Sequence, residues 1–251
     1  MRTPLIAGNW KLHKTIAESL AMVDELKPLV AGSRGVEIVV APVFTALKSV
    51  SFALNGSDIG LAAQDCFWEE QGAFTGEVSP AQLRDAGCSH VIIGHSERRQ
   101  LFGETDEGVN RKARAAVAVG LTAIICVGET MEERESRATF TVVGRQVTAA
   151  LAGFLSHEFS RIVIAYEPVW AIGTGKTATD QQAQEVHCYI RNLVTMSISQ
   201  AIADSLRILY GGSVKPDNIR GLMAQPDIDG ALIGGASLKA ASFAEMVNFR
   251  G

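Results

Sequence analysis

The chain has 251 residues, of which 47% are hydrophobic, and a formal net charge of −4. This length suits one large α/β domain with a substantial core. The charge argues against nucleic-acid or anionic-membrane partners, because no basic field is available, although a small anionic ligand needs only a local patch. No apolar stretch has the length of a membrane span, and the N-terminal apolar run is too short for a signal peptide.

The four cysteines are widely spaced and form no CxxC pair. They are Cys66, Cys88, Cys126 and Cys188. This spacing predicts buried thiols in a reducing compartment, and therefore a cytoplasmic protein. No metal site is expected, because metal ligands need a closer pattern.

Eight short apolar runs predict eight β-strands. Each is rich in Val, Ile, Leu or Ala and lacks polar alternation, which indicates strands covered on both faces. The runs are residues 5–8, 36–41, 59–63, 90–94, 121–127, 161–165, 206–210 and 230–233. Helical patterns lie between them at residues 15–30, 79–87, 107–119, 177–199, 216–223 and 237–249.

An eightfold β/α alternation without a linker predicts an α/β protein with one domain over residues 1–251. The expected architecture is a (β/α)8 barrel, also called a TIM barrel. A doubly wound sheet is the alternative, but eight such strands would more often carry a second domain.

The active site of such a barrel lies where the strands end. Glu167 follows the sixth run, and Pro168 then stops the strand. The segment from Pro168 to Ala178 contains a Gly-x-Gly hinge at Gly173 and Gly175. A lone carboxylate beneath a loop that can close predicts a general base under a lid.

Two further strand ends carry residues suited to polarising a carbonyl group. His95 ends the fourth run at the start of a short helix, where the helix dipole disfavours an imidazolium and a neutral ring is expected. Asn9 and Lys11 follow the first run. They are predicted to share one face of the strand and to point into the barrel mouth, while Trp10 packs outward.

Glycine pairs follow the last two strands. They are Gly211-Gly212, which precedes Ser213, and Gly234-Gly235. Backbone without side chains lets an anion approach N–H groups, and the loops after the seventh and eighth strands are the usual phosphate site of these barrels. A single pair would indicate only a tight turn, but two pairs at neighbouring strand ends favour phosphate.

No cofactor motif accompanies these residues. The segment 173–177 resembles the end of a P-loop, but Trp170 stands where that motif needs a glycine. No acidic residue lies at the spacing that a dinucleotide fold requires. A base, a neutral electrophile, a cation and a phosphate cradle favour proton abstraction beside the carbonyl of a small phosphorylated substrate.

Seven short segments along the chain form a recognisable series. They are GNWK (8–11), GAFTGE (72–77), GHSERR (94–99), CVGE (126–129), AYEPVWAIGTGK (165–176), YGGSV (210–214) and IGGASL (233–238). In this order they closely resemble the triosephosphate isomerase family. The resemblance implies isomerisation of dihydroxyacetone phosphate and D-glyceraldehyde 3-phosphate in glycolysis and gluconeogenesis, without a cofactor.

The resemblance also implies a role for each site residue. Glu167 would be the base, His95 would polarise the carbonyl, and Lys11 would balance negative charge while Asn9 donates to the oxyanion. Further binding groups would be Gly173, Ser213, Gly234 and Gly235, with lid partners Glu129, Trp170 and Tyr210 and supporting residues Glu97 and Cys126.

The resemblance implies a homodimer, and the sequence offers a reason. Residues 65–77 form a long loop that carries Phe67, Trp68 and Phe74, which suggests insertion into another subunit. The tip of this loop, with Phe74 and Thr75, would reach the partner's residues 9–11. The alternative interpretation is a loop that folds onto its own barrel.

Two residues depart from the family pattern. His13 and Asp65 each stand where the family commonly has Asn. If Asp65 is buried at the interface, its raised pKa would make dimer stability fall as pH rises through that value.

Two other functions compete with the isomerase. An aldolase on the same barrel would need a Schiff-base lysine within a strand, and Lys11 is the only strand-end lysine. A non-catalytic binding protein would be favoured by loss of Lys11, His95 or Glu167, and all three are present.

Overall fold

The computed structural model describes residues 2–173 and 177–250. The strands in this part of the chain are β1 Leu5–Asn9, β2 Glu37–Ala41, β3 Ile59–Ala63, β4 His90–Ile93, β5 Thr122–Val127, β6 Ile162–Tyr166, β7 Arg207–Tyr210 and β8 Gly230–Ile233. They pair in parallel in sequence order, and β8 returns to pair with β1, so the sheet closes into a barrel.

The helices surround this barrel. They are α1 Ile16–Val30, α2 Leu47–Ala53, α3 Pro80–Asp85, α4 Ser96–Leu101, α5 Asp106–Ala118, α6 Met131–Glu135, α7 Thr139–Leu151, α8 Asp180–Ser197, α9 Gln200–Ser205, α10 Ile219–Met223 and α11 Ala240–Val247. Hydroxyl side chains start several of them: Thr15, Ser79, Thr130 and Thr179 each accept the N–H three residues on within a capping box.

Strand residues alternate between two apolar layers. One layer fills the barrel and includes Leu5, Ala7, Ile124, Cys126 and Leu209. The other lies between the strands and the helices. Because both layers are apolar, the strands carry no polar alternation, and polar side chains are confined to the strand ends.

The predicted fold class is confirmed, since each of the eight apolar runs coincides, to within one residue at either end, with a strand of the closed barrel. The prediction that Asn9 and Lys11 share one face of the first strand is wrong. β1 ends at Asn9, and Lys11 has φ 53°, which is outside the range of a strand. The alternation of a strand therefore does not determine the direction of the Lys11 side chain. Trp10 lies fully buried in the outer layer, on the side that was expected.

Every predicted helical pattern overlaps a helix, although the last begins as a 3₁₀ turn at Gly235–Leu238. The structure adds helices that the sequence did not predict, namely α2, α6, α7 and α9, while α4 is the short helix expected to start at His95. Among the described helices, none has the length and apolarity to cross a membrane.

Candidate active site

A cavity of about 360 Å³ opens at the C-terminal ends of the strands. Its lining brings together nine of the predicted site residues: Asn9, Lys11, His95, Glu97, Glu167, Gly173, Ser213, Gly234 and Gly235. Residues far apart in the chain therefore meet at one rim, because the barrel aligns the ends of parallel strands.

Glu167 directly follows β6 and is 1% exposed. Its Oε1 lies 2.9 Å from His95 Nε2, and its Oε2 accepts the Ser96 N–H at 2.9 Å. Burial raises the pKa of Glu167, but the interaction with His95 and the Ser96 N–H outweigh burial, so the pKa is lowered. The carboxylate is therefore ionised near neutral pH and able to accept a proton.

The hydrogen bonds of the His95 ring fit its neutral form. Nδ1 accepts the Glu97 N–H at 3.2 Å, so the proton of the neutral ring is on Nε2 and faces Glu167. Burial lowers the pKa of His95, whereas the Glu167 and Glu97 carboxylates raise it, and the net pKa is raised. A second proton would still have to displace the Glu97 N–H from Nδ1, so this geometry is that of the neutral imidazole.

Lys11 is held by its backbone as well as by its charge. Its N–H donates to Asn9 Oδ1 at 3.1 Å, and its carbonyl accepts from Gln64 Nε2 at 2.9 Å. These bonds stabilise a left-handed backbone that few non-glycine residues adopt. The ammonium then lies 2.6 Å from Glu97 Oε1. Asn9 Nδ2 makes no hydrogen bond to the described residues, so it is a donor available to a ligand.

The glycine pairs allow close packing around the pocket. A Cβ at Gly211 would lie 2.8 Å from Glu167 Cγ, and a Cβ at Gly234 would lie 3.1 Å from Lys11 Cε. Gly235 begins a 3₁₀ turn, so backbone N–H groups border the cavity. Any larger residue at Gly211 or Gly234 would press on the base or the ammonium.

The start of the predicted lid is anchored to a buried carboxylate. Glu129 is fully buried, and its Oε1 accepts from Trp170 Nε1 at 3.0 Å and from the Tyr166 hydroxyl at 3.1 Å. The Arg134 guanidinium lies 3.2 Å from the same oxygen and 4.5 Å from the Trp170 ring centroid.

At the other end of the lid, burial raises the pKa of Tyr210 to about 12, an effect that the Ala178 backbone partly offsets. The Tyr210 hydroxyl makes no hydrogen bond to the described residues, so its role as a lid partner stays a prediction. Thr174, Gly175 and Lys176 of this segment lie outside the described residues.

Cys126 lies inside the barrel rather than in the pocket. Burial, together with the Glu167 charge, raises its pKa well above the usual value, so the thiol stays protonated. It packs beneath the base and does not supply a nucleophile.

Three functional contacts were not predicted from the sequence. Gln64, which directly follows β3, fixes the Lys11 carbonyl. Ser96 contributes its N–H to Glu167. Arg99 binds the carbonyls of Gly94 and Cys126 at 2.8 and 3.2 Å, and so holds the turn before His95. Their position beside strand ends was the available signal.

The long loop after β3 presents an aromatic tip. Phe74 is 43% exposed, and its ring centroid lies 4.7 Å from that of Phe67. At the base of the loop, Asp65 is buried against Lys112 and Arg98 of its own chain, each at 2.8 Å. Burial does raise the pKa of Asp65, but this burial needs no partner subunit, so the premise of a pH-sensitive interface is removed.

A barrel with an ionised carboxylate, a neutral imidazole and an ammonium around one pocket is equipped for proton transfer on a small anionic substrate. The family model described as "Triosephosphate isomerase" matches residues 4–250, and the chain belongs to this family.

Several relatives that are named triosephosphate isomerase align with this chain over nearly its full length. The chain is 64% identical to that of Trichlorobacter lovleyi, covering 100% of both chains, and 64% identical to that of Geotalea uraniireducens, covering 99% of each. It is 55% identical to that of Clostridium acetobutylicum, covering 99% of this chain and 100% of the relative.

Proposed function

We propose that the chain interconverts dihydroxyacetone phosphate and D-glyceraldehyde 3-phosphate through an enediolate, as a step of glycolysis and gluconeogenesis. The observation that carries the proposal is the Glu167 carboxylate 2.9 Å from the Nε2 of a neutral His95, in one pocket with Lys11. Family membership and the names of the relatives support the same substrate pair.

Glu167 acts as the general base. It removes a proton from the carbon next to the carbonyl and returns it to the neighbouring carbon, so no net oxidation is needed and no cofactor enters the reaction. The contacts with His95 and the Ser96 N–H keep this buried carboxylate ionised, so it is able to accept the substrate proton.

His95, Lys11 and Asn9 stabilise the enediolate oxygens. The His95 Nε2–H that faces Glu167 in the free enzyme donates to the substrate carbonyl, and the ring passes protons between the two oxygens. The Lys11 ammonium and the Asn9 Nδ2 donors balance the developing charge. Fixed donors of this kind typically contribute about 3–4 kcal/mol each to lowering the barrier.

The phosphate lies against backbone N–H groups of Gly173, Gly234 and Gly235, with Ser213 beside them. Their N–H groups can approach the phosphate oxygens closely because no Cβ intervenes. Lys11, next to Gly234, adds the positive charge that neutralises the ligand.

The lid excludes water and prevents loss of phosphate from the enediolate. Trp170 and Ala178 mark its two ends, and the hydrogen bond from Trp170 to Glu129 favours one position of its first residues. Tyr210 is the expected partner of Ala178 when the lid closes. Glu97 supports the site by pairing with Lys11 and by presenting its N–H to His95.

The active enzyme is a homodimer in this proposal. A second cavity, bordered by Lys11, Phe44, Gln64 and Phe102, lies beside the active site and suits the aromatic loop tip with Phe74 and Thr75 of another copy. The expected location is the cytoplasm, which the four free cysteines support.

The isomerase assignment is tested by incubating the purified protein with glyceraldehyde 3-phosphate in D₂O. Proton transfer predicts formation of dihydroxyacetone phosphate and, over many turnovers, solvent deuterium on the carbon beside the carbonyl. Turnover that never incorporates deuterium would indicate a hydride shift instead. Condensation or cleavage products would favour an aldolase, and ligand binding without turnover would favour the non-catalytic function.

A further inference from the structure

Gln146, on α7, is a buried amide that makes two hydrogen bonds to a single backbone residue. Its Oε1 accepts the Gly128 N–H at 2.7 Å, and its Nε2 donates to the Gly128 carbonyl at 3.2 Å. The residue is 6% exposed. Only one orientation of the amide satisfies both bonds, so Gln146 fixes the position and the plane of Gly128.

Gly128 needs this side chain because no strand runs beside it on that side. The register between β4 and β5 stops at Ile125, and the chain after β4 turns at Gly94 into α4. A cavity of about 360 Å³, bordered by Gly94, Gly128 and Gln146, occupies the space beyond. Gln146 thus supplies the hydrogen bonds that a neighbouring strand would otherwise make.

The opposite side of Gly128 lies directly against the proposed base. A Cβ at Gly128 would overlap the carbonyl group of Glu167. On either side of this contact, the Glu167 N–H donates to the Val127 carbonyl at 2.7 Å, and the Val169 N–H donates to the Glu129 carbonyl at 3.1 Å. A shift of Gly128 therefore moves the backbone of Glu167 and the first residues of the lid.

The Glu167 carboxylate has little room to compensate for such a shift. It contacts His95 Nε2 and the Ser96 N–H, each at 2.9 Å, and its Cγ packs against Gly211. A displaced backbone would lengthen these contacts, which are the ones that lower the pKa of Glu167.

We propose that Gln146, which lines no part of the substrate pocket, is a positioning residue that holds the general base through Gly128. This inference rests on the proposed function, because it gives Gln146 its role relative to the base of that reaction. A misplacement of about 1 Å at a reacting group can cost on the order of 100-fold in rate.

The test compares Gln146→Leu with Val147→Ala. Val147 is the next residue of α7, is 1% exposed and belongs to the core between barrel and helices, so its truncation weakens the packing of α7 without removing a bond to Gly128. Kinetic constants, pH profiles of kcat/KM and free energies of unfolding are measured for both variants and the parent.

For Gln146→Leu we expect kcat to fall by about 10- to 100-fold with little change in KM, because the phosphate loops after β7 and β8 are unaltered. The acid limb of the kcat/KM profile should move to higher pH, since Glu167 of the free enzyme loses contacts that lower its pKa. Val147→Ala should lose stability but keep the kcat and the pH profile of the parent.

Gln146→Glu provides a second variant of nearly the same shape. It keeps the acceptor for the Gly128 N–H and loses the donor to the carbonyl at neutral pH, so its kcat should lie between those of Gln146→Leu and the parent. If Gln146→Leu does not fold, the comparison of Gln146→Glu with Val147→Ala tests the same claim.

Three results would overturn the role of Gln146: an unchanged kcat, a loss equal to that of Val147→Ala, or a loss confined to KM. An inactive but folded parent is a different result. It would contradict the proposed function, and the inference would fail with it.

Discussion

Lys11 is the site residue whose position depends most on its neighbours. Its ammonium could be predicted as a charge at the barrel mouth from the sequence, because it follows the first apolar run. Its left-handed backbone could not be predicted in this way, because that conformation depends on hydrogen bonds with Asn9 and Gln64. Gln64 follows a different strand. Contacts between residues distant in sequence are invisible to a local pattern.

Replacing Lys11 with Met keeps the aliphatic chain and removes the charge. We expect kcat/KM to fall by about 10²- to 10³-fold, because Glu97 would be left facing the pocket without its partner and the substrate charge would be unbalanced. Steady-state kinetics measure the loss. Lys48→Met, at an exposed lysine on α2 outside the pocket, is the matched control and should behave like the parent.

The proposed base could be selected from the sequence, whereas the contacts around it could not. Glu167 was predicted from its place after a buried run and before a proline. The contact with the Ser96 N–H depends on how α4 packs against the barrel, and the support from Gln146 through Gly128 requires α7, which no sequence pattern identified. The residues that perform the chemistry were therefore easier to predict than those that position them.

At the scale of elements, the strands were predicted more completely than the helices. A strand buried on both faces is a continuous apolar run and needs no partner to be seen in the sequence. The helix α7 is rich in Thr and Val, which have modest helix propensity, and its stability comes from packing against α5 and α8. Such a helix depends on tertiary structure that a single segment does not encode.

One element carries a pH-dependent contribution to stability. His187 on α8 is fully buried between the rings of Tyr166 and Tyr210, with Nδ1 2.7 Å from the Ala183 carbonyl. Burial lowers the pKa of His187 to about 4. The unfolded chain therefore binds a proton below about pH 6.5 that the folded chain binds only near pH 4.

This difference predicts that the free energy of unfolding falls as pH drops from about 6.5 to 4, by up to roughly 3 kcal/mol from His187 alone. Urea unfolding across this range should give a flatter pH dependence for His187→Gln than for the parent. His157→Gln, at an exposed histidine, is the control and should retain the slope of the parent. Parallel curves for all three proteins would contradict the prediction.

At the scale of the whole molecule, the site is predicted to be complete only in a dimer. The aromatic loop tip is exposed in the single chain. The cavity beside Lys11 and Gln64 is suited to bind the loop tip of a second copy. Phe74→Asp should place a charge in that contact, convert the protein to monomers and reduce kcat, because the region around Lys11 would lose its support.

Sedimentation velocity and kinetics of Phe74→Asp measure both effects. Phe52→Asp is the matched control, since Phe52 is 65% exposed on α2 and lies outside the loop. A Phe74→Asp protein that remains dimeric, or a monomer with the kcat of the parent, would refute the dependence of the site on the dimer.

The central claim is that Glu167 removes the substrate proton. Glu167→Gln keeps the size of the side chain and removes the basic oxygen, so the most direct measurement is its rate of glyceraldehyde 3-phosphate isomerisation beside that of the parent. Fast turnover by the parent and a loss of about 10²- to 10⁴-fold in the variant, with an unchanged fold, are expected. A Glu167→Gln protein that turns over as fast as the parent would contradict the account.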